Sequence, residues 1–285
     1  MQGSASVTSL VDFQGHPALR LRAPDGAQAT VLLHGAHLVS WIPAGGEEQL
    51  YLSPTARYGD GQAVRGGVPV VFPQFNLRGP LPHKHGFVRT RAWSVAEQVV
   101  RAGCAIGVMR LESDAATRAL WPHDFALELT VIVSGRELEI ELSVTNTGTE
   151  AFEFTSALHT YLRCHDALRL QLEGLQDVGY EDAVLGEVHT QWGDVLTVVG
   201  ELDRIYRQVG GRTLTLRELG HRVHLQQTGF EDVVVWNPGD EKCAALPDMP
   251  DADWRQMLCV EAASITEPVW LEPGAEWAGM QQLQC

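Results

Sequence analysis

Short segments in which hydrophobic and polar residues alternate recur along the whole chain, separated by Gly, Pro, Asp and Asn. This period-2 pattern is typical of β-strands with one buried face. The clearest hairpin joins residues 126–133 to residues 137–145 through a Ser-Gly turn, and its second half alternates four aliphatic residues with polar ones. Further strands are predicted at residues 18–22, 29–42, 93–100, 105–112, 151–164, 168–173, 196–199, 213–218, 222–227, 233–236, 257–262 and 276–283.

Helical periodicity is scarce along the chain. The best helical turn spans residues 250–257, where Asp251 is a suitable N-cap. Many short strands without helices between them predict an all-β protein built as a large antiparallel β-sandwich. No Pro/Ser-rich linker or change of composition divides the chain, so we expect residues 1–285 to form a single domain.

The charge and cysteine content narrow the class of protein. A formal net charge of −15 argues against binding to nucleic acid or to anionic membranes, both of which rely on basic surfaces. The five cysteines are widely spread and form no C-x-x-C motif, so neither a disulfide framework nor a zinc cluster is predicted. No signal peptide or transmembrane run is recognisable, and we expect a cytoplasmic protein.

One segment departs from the acidic character of the chain. Residues 64–90 contain three arginines, a lysine and two histidines among glycines and prolines. A basic loop in an acidic protein suggests a local anion site, because the overall field would repel a negatively charged ligand. The alternative interpretation is a solvated loop whose arginines pair with neighbouring carboxylates.

The same segment carries three sequence blocks in one order: Arg65-Gly66-Gly67-Val68-Pro69, then Phe72-Pro73-Gln74-Phe75, then His85-Gly86-Phe87-Val88-Arg89. In this it resembles the hexose-6-phosphate mutarotases, a branch of the aldose 1-epimerase group. The resemblance extends over nearly the whole chain. It implies a galactose mutarotase-like supersandwich fold and a cofactor-free isomerase that interconverts the α and β anomers of a hexose 6-phosphate.

Such a reaction opens a cyclic hemiacetal, so a base must deprotonate the anomeric hydroxyl while an acid protonates the ring oxygen. His159 lies late in an otherwise apolar strand, where a lone histidine is more often structural. Glu261 is flanked by apolar residues, which suggests burial and a raised pKa, although a structural ion pair is an equal alternative. The resemblance implies that His159 is the general acid and Glu261 the general base.

The resemblance also implies substrate-binding roles. Asp203, otherwise a turn residue by pattern, and His85 would hydrogen-bond the sugar hydroxyls. Arg65 and Arg89 would hold the phosphate, because guanidinium groups grip phosphate oxygens with paired hydrogen bonds. Lys84 stands where the family more often has glutamine, so it either adds a cation to the phosphate site or replaces a sugar contact.

Two other functions remain open from the sequence. One is an aldose 1-epimerase that acts on unphosphorylated hexose, and the other is a non-catalytic carbohydrate-binding β-sandwich. The expected partner in the main hypothesis is a small-molecule phosphosugar bound by a monomer, with no metal ion, no nucleic acid and no membrane.

Overall fold

The computed structural model describes residues 8–59 and 61–285, and within them the secondary structure is almost entirely strand. Two short helices are present in these residues, α1 (Ala115–Leu120) and α2 (Gly239–Ala244). The strands are β1 (Thr8–Phe13), β2 (His16–Arg22), β3 (Gln28–Leu32), β4 (His37–Ile42), β5 (Val70–Val71), β6 (Ser94–Arg101), β7 (Cys104–Glu112), β8 (Phe125–Ser134), β9 (Glu137–Asn146), β10 (Phe152–Leu158), β11 (Tyr161–Arg163), β12 (Gln171–Glu173), β13 (Gly179–Asp182), β14 (Glu187–Thr190), β15 (Val195–Leu196), β16 (Leu202–Tyr206), β17 (Leu214–Glu218), β18 (His221–Thr228), β19 (Asp232–Asn237), β20 (Met257–Leu271) and β21 (Glu276–Gln284).

The strands form three antiparallel sheets. A four-stranded sheet has the order β1-β2-β3-β4, and a nine-stranded sheet has the order β15-β12-β17-β18-β21-β9-β8-β7-β6. The third sheet has eight strands in the order β14-β13-β16-β19-β20-β10-β5, with β11 also paired to β20. Side chains from all three sheets meet in one hydrophobic core. The antiparallel β-sandwich predicted from the alternating pattern is confirmed. No helix in the described part of the chain is long and apolar enough to cross a membrane.

The predicted hairpin is confirmed as β8 and β9, which pair along their full length. Other bounds differ from the prediction. The segment 29–42 is two strands, β3 and β4, because Gly35 and Ala36 have positive φ values of 75° and 45° and reverse the chain. The segment 151–164 is interrupted at His159 and Thr160, which separate β10 from β11. In residues 250–257 the chain forms only a 3-10 turn, Asp253–Gln256, whose N-cap is Ala252 and not Asp251.

Several elements were not predicted. Strands β5, β13, β14 and β16 are short and show little alternation, and helix α1 follows an Asp114 N-cap in a segment without helical periodicity. Such short elements depend on their neighbours, since a few residues of local propensity are easily overridden by tertiary packing.

Both faces of the eight-stranded sheet are buried at its centre. On β20, Val260 and Ala262 pack into the main core, whereas Cys259 and Ala263 pack into smaller clusters on the opposite face. Successive side chains in a strand point to opposite sides of the sheet, so Glu261 lies on the face away from the main core. The functional residues are therefore expected on this outer face.

Residues 64–90 cover the outer face. Their backbone carbonyls accept hydrogen bonds from the chain at the break between β10 and β11. The N–H of His159 donates to Pro69 O at 3.0 Å, and the N–H of Tyr161 donates to Gly67 O at 2.9 Å. Gly67 also approaches β4 of the four-stranded sheet so closely that an added Cβ would lie 2.2 Å from Leu38 O. The segment is thus packed against two sheets near Gly67, whereas residues 77–80 and 82–84 are exposed and Arg78 pairs with Glu181, as the alternative interpretation expected.

A buried glutamine joins the two large sheets beneath this region. Gln281 on β21 accepts a hydrogen bond from the hydroxyl of Thr160, and its Nε2 donates to Val260 O at 3.0 Å. Thr160 and Val260 directly follow and precede His159 and Glu261 in the sequence. The amide of Gln281 consequently keeps the backbones that carry these two residues together.

We expect Gly86→Ala to destabilise the covering segment strongly. Gly86 has a φ of 68°, and a Cβ there would lie 1.9 Å from Phe72 O and 2.8 Å from Pro73 N. Backbone strain and a backbone clash together should lower the free energy of unfolding by at least about 3 kcal/mol, as measured by urea denaturation. Gly45→Ala is the control, because Gly45 has a φ of 66° and no atom within 4 Å of its added Cβ, so roughly 1–2 kcal/mol is expected. Equal losses in the two variants would contradict the proposed clash.

Candidate active site

A polar cleft opens on the outer face of the eight-stranded sheet. Its empty volume is about 570 Å³, which includes the open mouth. Strands β11, β16, β19 and β20, together with His159 at the strand break, form its floor, and residues 64–90 form its rim. Its walls are made by twelve residues: Arg65, Phe75, Asn76, Lys84, His85, Arg89, His159, Tyr161, Asp203, Val234, Trp236 and Glu261.

His159 and Glu261 meet at the bottom of this cleft. His159 Nε2 lies 3.3 Å from Glu261 Oε1, and the two residues are only 8% and 1% exposed. His159 occupies the break between β10 and β11, and Glu261 projects from β20, to which both of these strands pair. The other polar atoms, His159 Nδ1 and Glu261 Oε2, have no hydrogen-bond partner in the described residues. A buried imidazole and carboxylate with unused polar atoms can exchange protons with a bound molecule.

Burial dominates the electrostatics of this pair. It raises the pKa of Glu261 well above its usual value, and the nearby Asp203 carboxylate adds to the rise while neighbouring cations oppose it. Burial also lowers the pKa of His159 well below its usual value, and Arg89 and Arg65 act in the same direction. Desolvation thus favours the neutral form of each group, which moves the carboxyl pKa toward the range where a general base is effective.

His85 lies on the rim with a fixed tautomer. Its Nδ1 accepts a hydrogen bond from the Asn76 N–H at 3.2 Å, so the ring proton is on Nε2. Burial lowers the pKa of His85, with His159 as the next contributor, so the ring stays neutral. The ring centroids of His85 and His159 are 5.5 Å apart. His85 can therefore donate one neutral hydrogen bond close to the buried pair. His83, by contrast, is exposed and forms no joint site with His85.

Arg65 and Arg89 are held differently. Arg65 donates from Nε to Asp248 Oδ1 at 3.2 Å and from NH1 to the Tyr161 hydroxyl at 3.1 Å. Arg89 donates from NH2 to the Lys84 carbonyl at 2.8 Å, and no carboxylate among the described residues forms a salt bridge with it. Burial lowers the pKa of Arg89. Arg89 thus has more unused hydrogen-bonding capacity toward the cleft than Arg65 has.

Lys84 and Asp203 lie across the mouth of the cleft from each other. Lys84 is exposed, whereas Asp203 is half-buried on β16 and is not the turn residue that its sequence context suggested. Burial raises the pKa of Asp203, and the cations Lys242 and Lys84 counter this effect. A carboxylate and an ammonium group at the mouth offer an acceptor and a donor for the hydroxyl groups of a ligand.

Two aromatic residues that were not predicted from the sequence, Tyr161 and Trp236, also line the cleft. The Tyr161 ring stacks on His159 with 4.9 Å between centroids and 13° between planes, and the Trp236 ring packs edge-on against both. Trp236 is half-buried and lines the cleft. Tyr161 follows His159 by two residues, so it shares the same face of the extended chain, and this spacing was the available signal.

All seven side chains predicted as catalytic or substrate-binding lie around this one cleft. The sequence profile of aldose 1-epimerase matches residues 17–284. The chain belongs to the aldose 1-epimerase family.

A protein of Cenchrus ciliaris, named as a candidate glucose-6-phosphate 1-epimerase, is 33% identical over 272 residues, which cover 91% of this chain and 82% of the relative. A protein of Escherichia coli K12 with the same name is 34% identical over 251 residues, which cover 84% of this chain and 81% of the relative.

A solved structure agrees with these relatives. The crystal structure of a candidate mutarotase from Salmonella typhimurium matches this epimerase with a TM-score of 0.89 at 29% identity, covering 100% of this chain and 95% of the other. The family, the galactose mutarotase-like fold and the enzyme class predicted from the sequence are thereby confirmed.

We expect Glu261→Gln to stabilise the protein increasingly as the pH rises. The pKa of Glu261 is higher in the folded than in the unfolded chain, where it is near 4.5. Ionisation therefore lowers the free energy of unfolding of the wild type from about pH 4.5 upward to the folded pKa, by about 1.4 kcal/mol per pH unit, and glutamine cannot ionise. Urea unfolding at a series of pH values from about 5 upward should show an advantage of the variant that grows until the folded pKa is passed and is constant above it.

Glu153→Gln is the matched control, because it makes the same substitution at an exposed position on β10. The gain in stability is expected in Glu261→Gln and not in this control. A Glu261→Gln difference that is independent of pH would contradict the desolvation of Glu261.

Proposed function

We propose that this epimerase interconverts the α and β anomers of a hexose 6-phosphate, with D-glucose 6-phosphate as the expected substrate. The main support is a buried imidazole–carboxylate pair beneath three cations, in a chain with a net charge of −15. The pair suits proton transfer at a sugar, and the cations suit a phosphate group. The two relatives described above carry the same reaction in their names.

Ring opening begins at the anomeric carbon. Glu261 takes the proton of the anomeric hydroxyl, and His159 donates a proton to the ring oxygen as the bond between that oxygen and the anomeric carbon breaks. The open aldehyde rotates about its bond to the next carbon and closes on the other face, with both proton transfers reversed. The 3.3 Å contact between the two side chains supports this role, because one proton removed from the sugar can be balanced by one donated beside it.

The phosphate is expected to prepare His159 for its role. Arg89 and Arg65 help to lower the pKa of His159, which opposes the protonated form that an acid needs. A phosphate dianion bound to these arginines offsets their field and so raises the pKa of His159 in the complex. The phosphate of the sugar thus contributes binding energy, and its negative charge also favours the protonated form of His159.

Sugar orientation is assigned to Asp203 and His85. The Asp203 carboxylate accepts hydrogen bonds from hydroxyl groups at the mouth, and His85 donates one from Nε2 close to the reacting atoms. Tyr161 and Trp236 supply aromatic surface beside His159, which suits the apolar face of a hexose ring.

One observation favours the second candidate, an aldose 1-epimerase that acts on free hexose. Arg65 already donates to Asp248 and Tyr161, so part of its hydrogen-bonding capacity is used inside the protein. If Arg89 were structural as well, no phosphate site would remain. The two predictions below test the catalytic pair and the phosphate site separately.

We expect His159→Ala and Glu261→Gln each to reduce anomer exchange by about two to four orders of magnitude, the usual contribution of a positioned proton-transfer group. The measurement is exchange NMR on glucose 6-phosphate, with free glucose as the second substrate. The fold should persist, because both side chains border a cleft rather than the main core. Exchange at the wild-type rate in either variant would remove that residue from the mechanism.

We expect Arg89→Ala to reduce kcat/KM for glucose 6-phosphate by roughly 10- to 150-fold, because charge-assisted hydrogen bonds contribute about 1.5–3 kcal/mol each. The rate on free glucose should not fall, because the loss of Arg89 removes a charge that opposes protonation of His159. Lys84→Gln should cost less, since a flexible and exposed point charge adds little geometric constraint.

Arg91→Ala is the matched control, because the Arg91 guanidinium lies over the Phe87 ring at 5.9 Å and does not line the cleft. It should leave both rates unchanged. Equal losses on the two sugars in Arg89→Ala would show that this arginine is structural and would favour the free hexose as substrate.

A further inference from the structure

A third potential metal ligand lies next to the buried acid–base pair. The sulfur of Cys259, a ring nitrogen of His159 and a carboxylate oxygen of Glu261 all lie within 4.8 Å of one another. No other three His, Cys, Asp or Glu side chains in residues 8–59 and 61–285 bring their ligand atoms this close. No sequence motif indicates such a site, because His159 is far from Cys259 along the chain and no C-x-x-C motif is present.

The backbone fixes this arrangement. Cys259 and Glu261 are two residues apart on β20, so their side chains project from the same face of the sheet. On the adjacent chain Tyr161 pairs with Cys259, and the Val260 N–H donates to Thr160 O at 3.1 Å. His159 therefore lies opposite Glu261, and Cys259 is two residues away along β20. Three ligands on paired strands require little rearrangement to converge on one ion.

The donor atoms are available for an ion. His159 Nδ1 and Glu261 Oε2 are buried without hydrogen-bond partners in the described residues, and Cys259 is fully buried as a free thiol. Sulfur and imidazole nitrogen suit a borderline or soft metal, whereas Mg²⁺ and Ca²⁺ require oxygen ligands. Cysteine, histidine and glutamate are all known ligand types of Zn²⁺, which is normally tetrahedral.

We propose that His159, Cys259 and Glu261 form an inhibitory Zn²⁺ site. The three side chains supply three ligands, and a water molecule would complete the tetrahedral set. On binding, the thiol S–H bond breaks, its proton passes to water and the sulfur forms a bond to the ion, with no change of oxidation state. The ion occupies the lone pairs with which His159 and Glu261 transfer protons, so catalysis stops. The inhibition rests on the proposed function, whereas the metal site itself does not.

The surrounding charges determine how tightly the ion is expected to bind. Arg65, Arg89 and Lys84 line the same cleft and oppose the entry of another cation. The carboxylate and the new thiolate offset this repulsion. The affinity is therefore lower than that of a closed structural zinc site, and chelators remove the ion readily. Zinc at this site is thus a reversible inhibitor of the enzyme and not a structural metal.

The first measurement uses Co²⁺ alone as a spectroscopic probe of the purified protein. A thiolate ligand produces an intense sulfur-to-cobalt charge-transfer band, and Zn²⁺ should displace the cobalt and abolish that band. The band is expected in the wild type and should be absent in Cys259→Ala and in Cys259→Ser. Serine has approximately the size of cysteine. The spectrum of Cys259→Ser therefore remains informative even if Cys259→Ala is destabilised by a cavity.

Two other cysteines provide matched controls. Cys243 is also fully buried, and its thiol donates to Pro250 O at 3.2 Å away from the cleft. Cys164 lines a different cavity together with His165 and Glu218. Cys243→Ala and Cys164→Ala should both retain the cobalt band. Loss of the band in either variant, with retention in Cys259→Ser, would overturn the proposed site.

The second measurement is anomer exchange with increasing Zn²⁺. Wild-type activity should fall and return on addition of EDTA, and Cys259→Ser should need at least about tenfold more Zn²⁺ for the same inhibition. Equal inhibition of wild type and Cys259→Ser, or no cobalt band in the wild type, would overturn the proposal. A cobalt band in a wild type that shows no exchange in metal-free buffer would support the metal site and count against the proposed function.

Discussion

The removal of water from one imidazole and one carboxylate is the constraint on which the rest of this structure depends. Burying an isolated ionised group in a protein interior costs free energy. His159 and Glu261 must therefore be held close to each other and close to charged groups that influence their ionisation. The break between β10 and β11, the pairing of both strands with β20 and the inter-sheet amide of Gln281 together meet this requirement. Each of these features would be unnecessary in a sheet that only had to bury apolar side chains.

The covering segment follows from the same constraint. A sheet face with a buried carboxylate must be shielded from water and still admit a ligand, and residues 64–90 do both. Glycines shape this segment, because the backbone at Gly67 lies against Leu38 of β4 and that at Gly86 lies against Phe72 at distances that leave no room for a Cβ. The arginines of this segment reach the cleft from its rim, and so the acidic chain acquires a local basic surface where an anion is expected to bind.

The charges at the cleft and the chemistry at its floor are coupled. Arg89 and Arg65 oppose protonation of His159, and Asp203 opposes ionisation of Glu261. A ligand that neutralises the cations or hydrogen-bonds the carboxylate therefore changes the protonation of the pair. The same few side chains therefore determine which ligand binds and how the pair is protonated. The closeness of their ligand atoms to the Cys259 sulfur is also what would let a metal ion bind at the pair.

By itself, the sequence determined the class of the fold and pointed to seven residues that the structure brings to one cleft. Period-2 alternation identified the long strands, such as those of the hairpin β8–β9, because a half-buried sheet imposes that pattern locally. The seven predicted site residues were assigned through the family resemblance carried by three sequence blocks in residues 64–90. Tertiary structure alone decided where the chain breaks at His159, which face of β20 carries Glu261, and that Tyr161, Trp236 and Cys259 join the site. These outcomes depend on contacts between residues far apart in the sequence, and a strand that is buried on both faces shows no alternation from which they could be read.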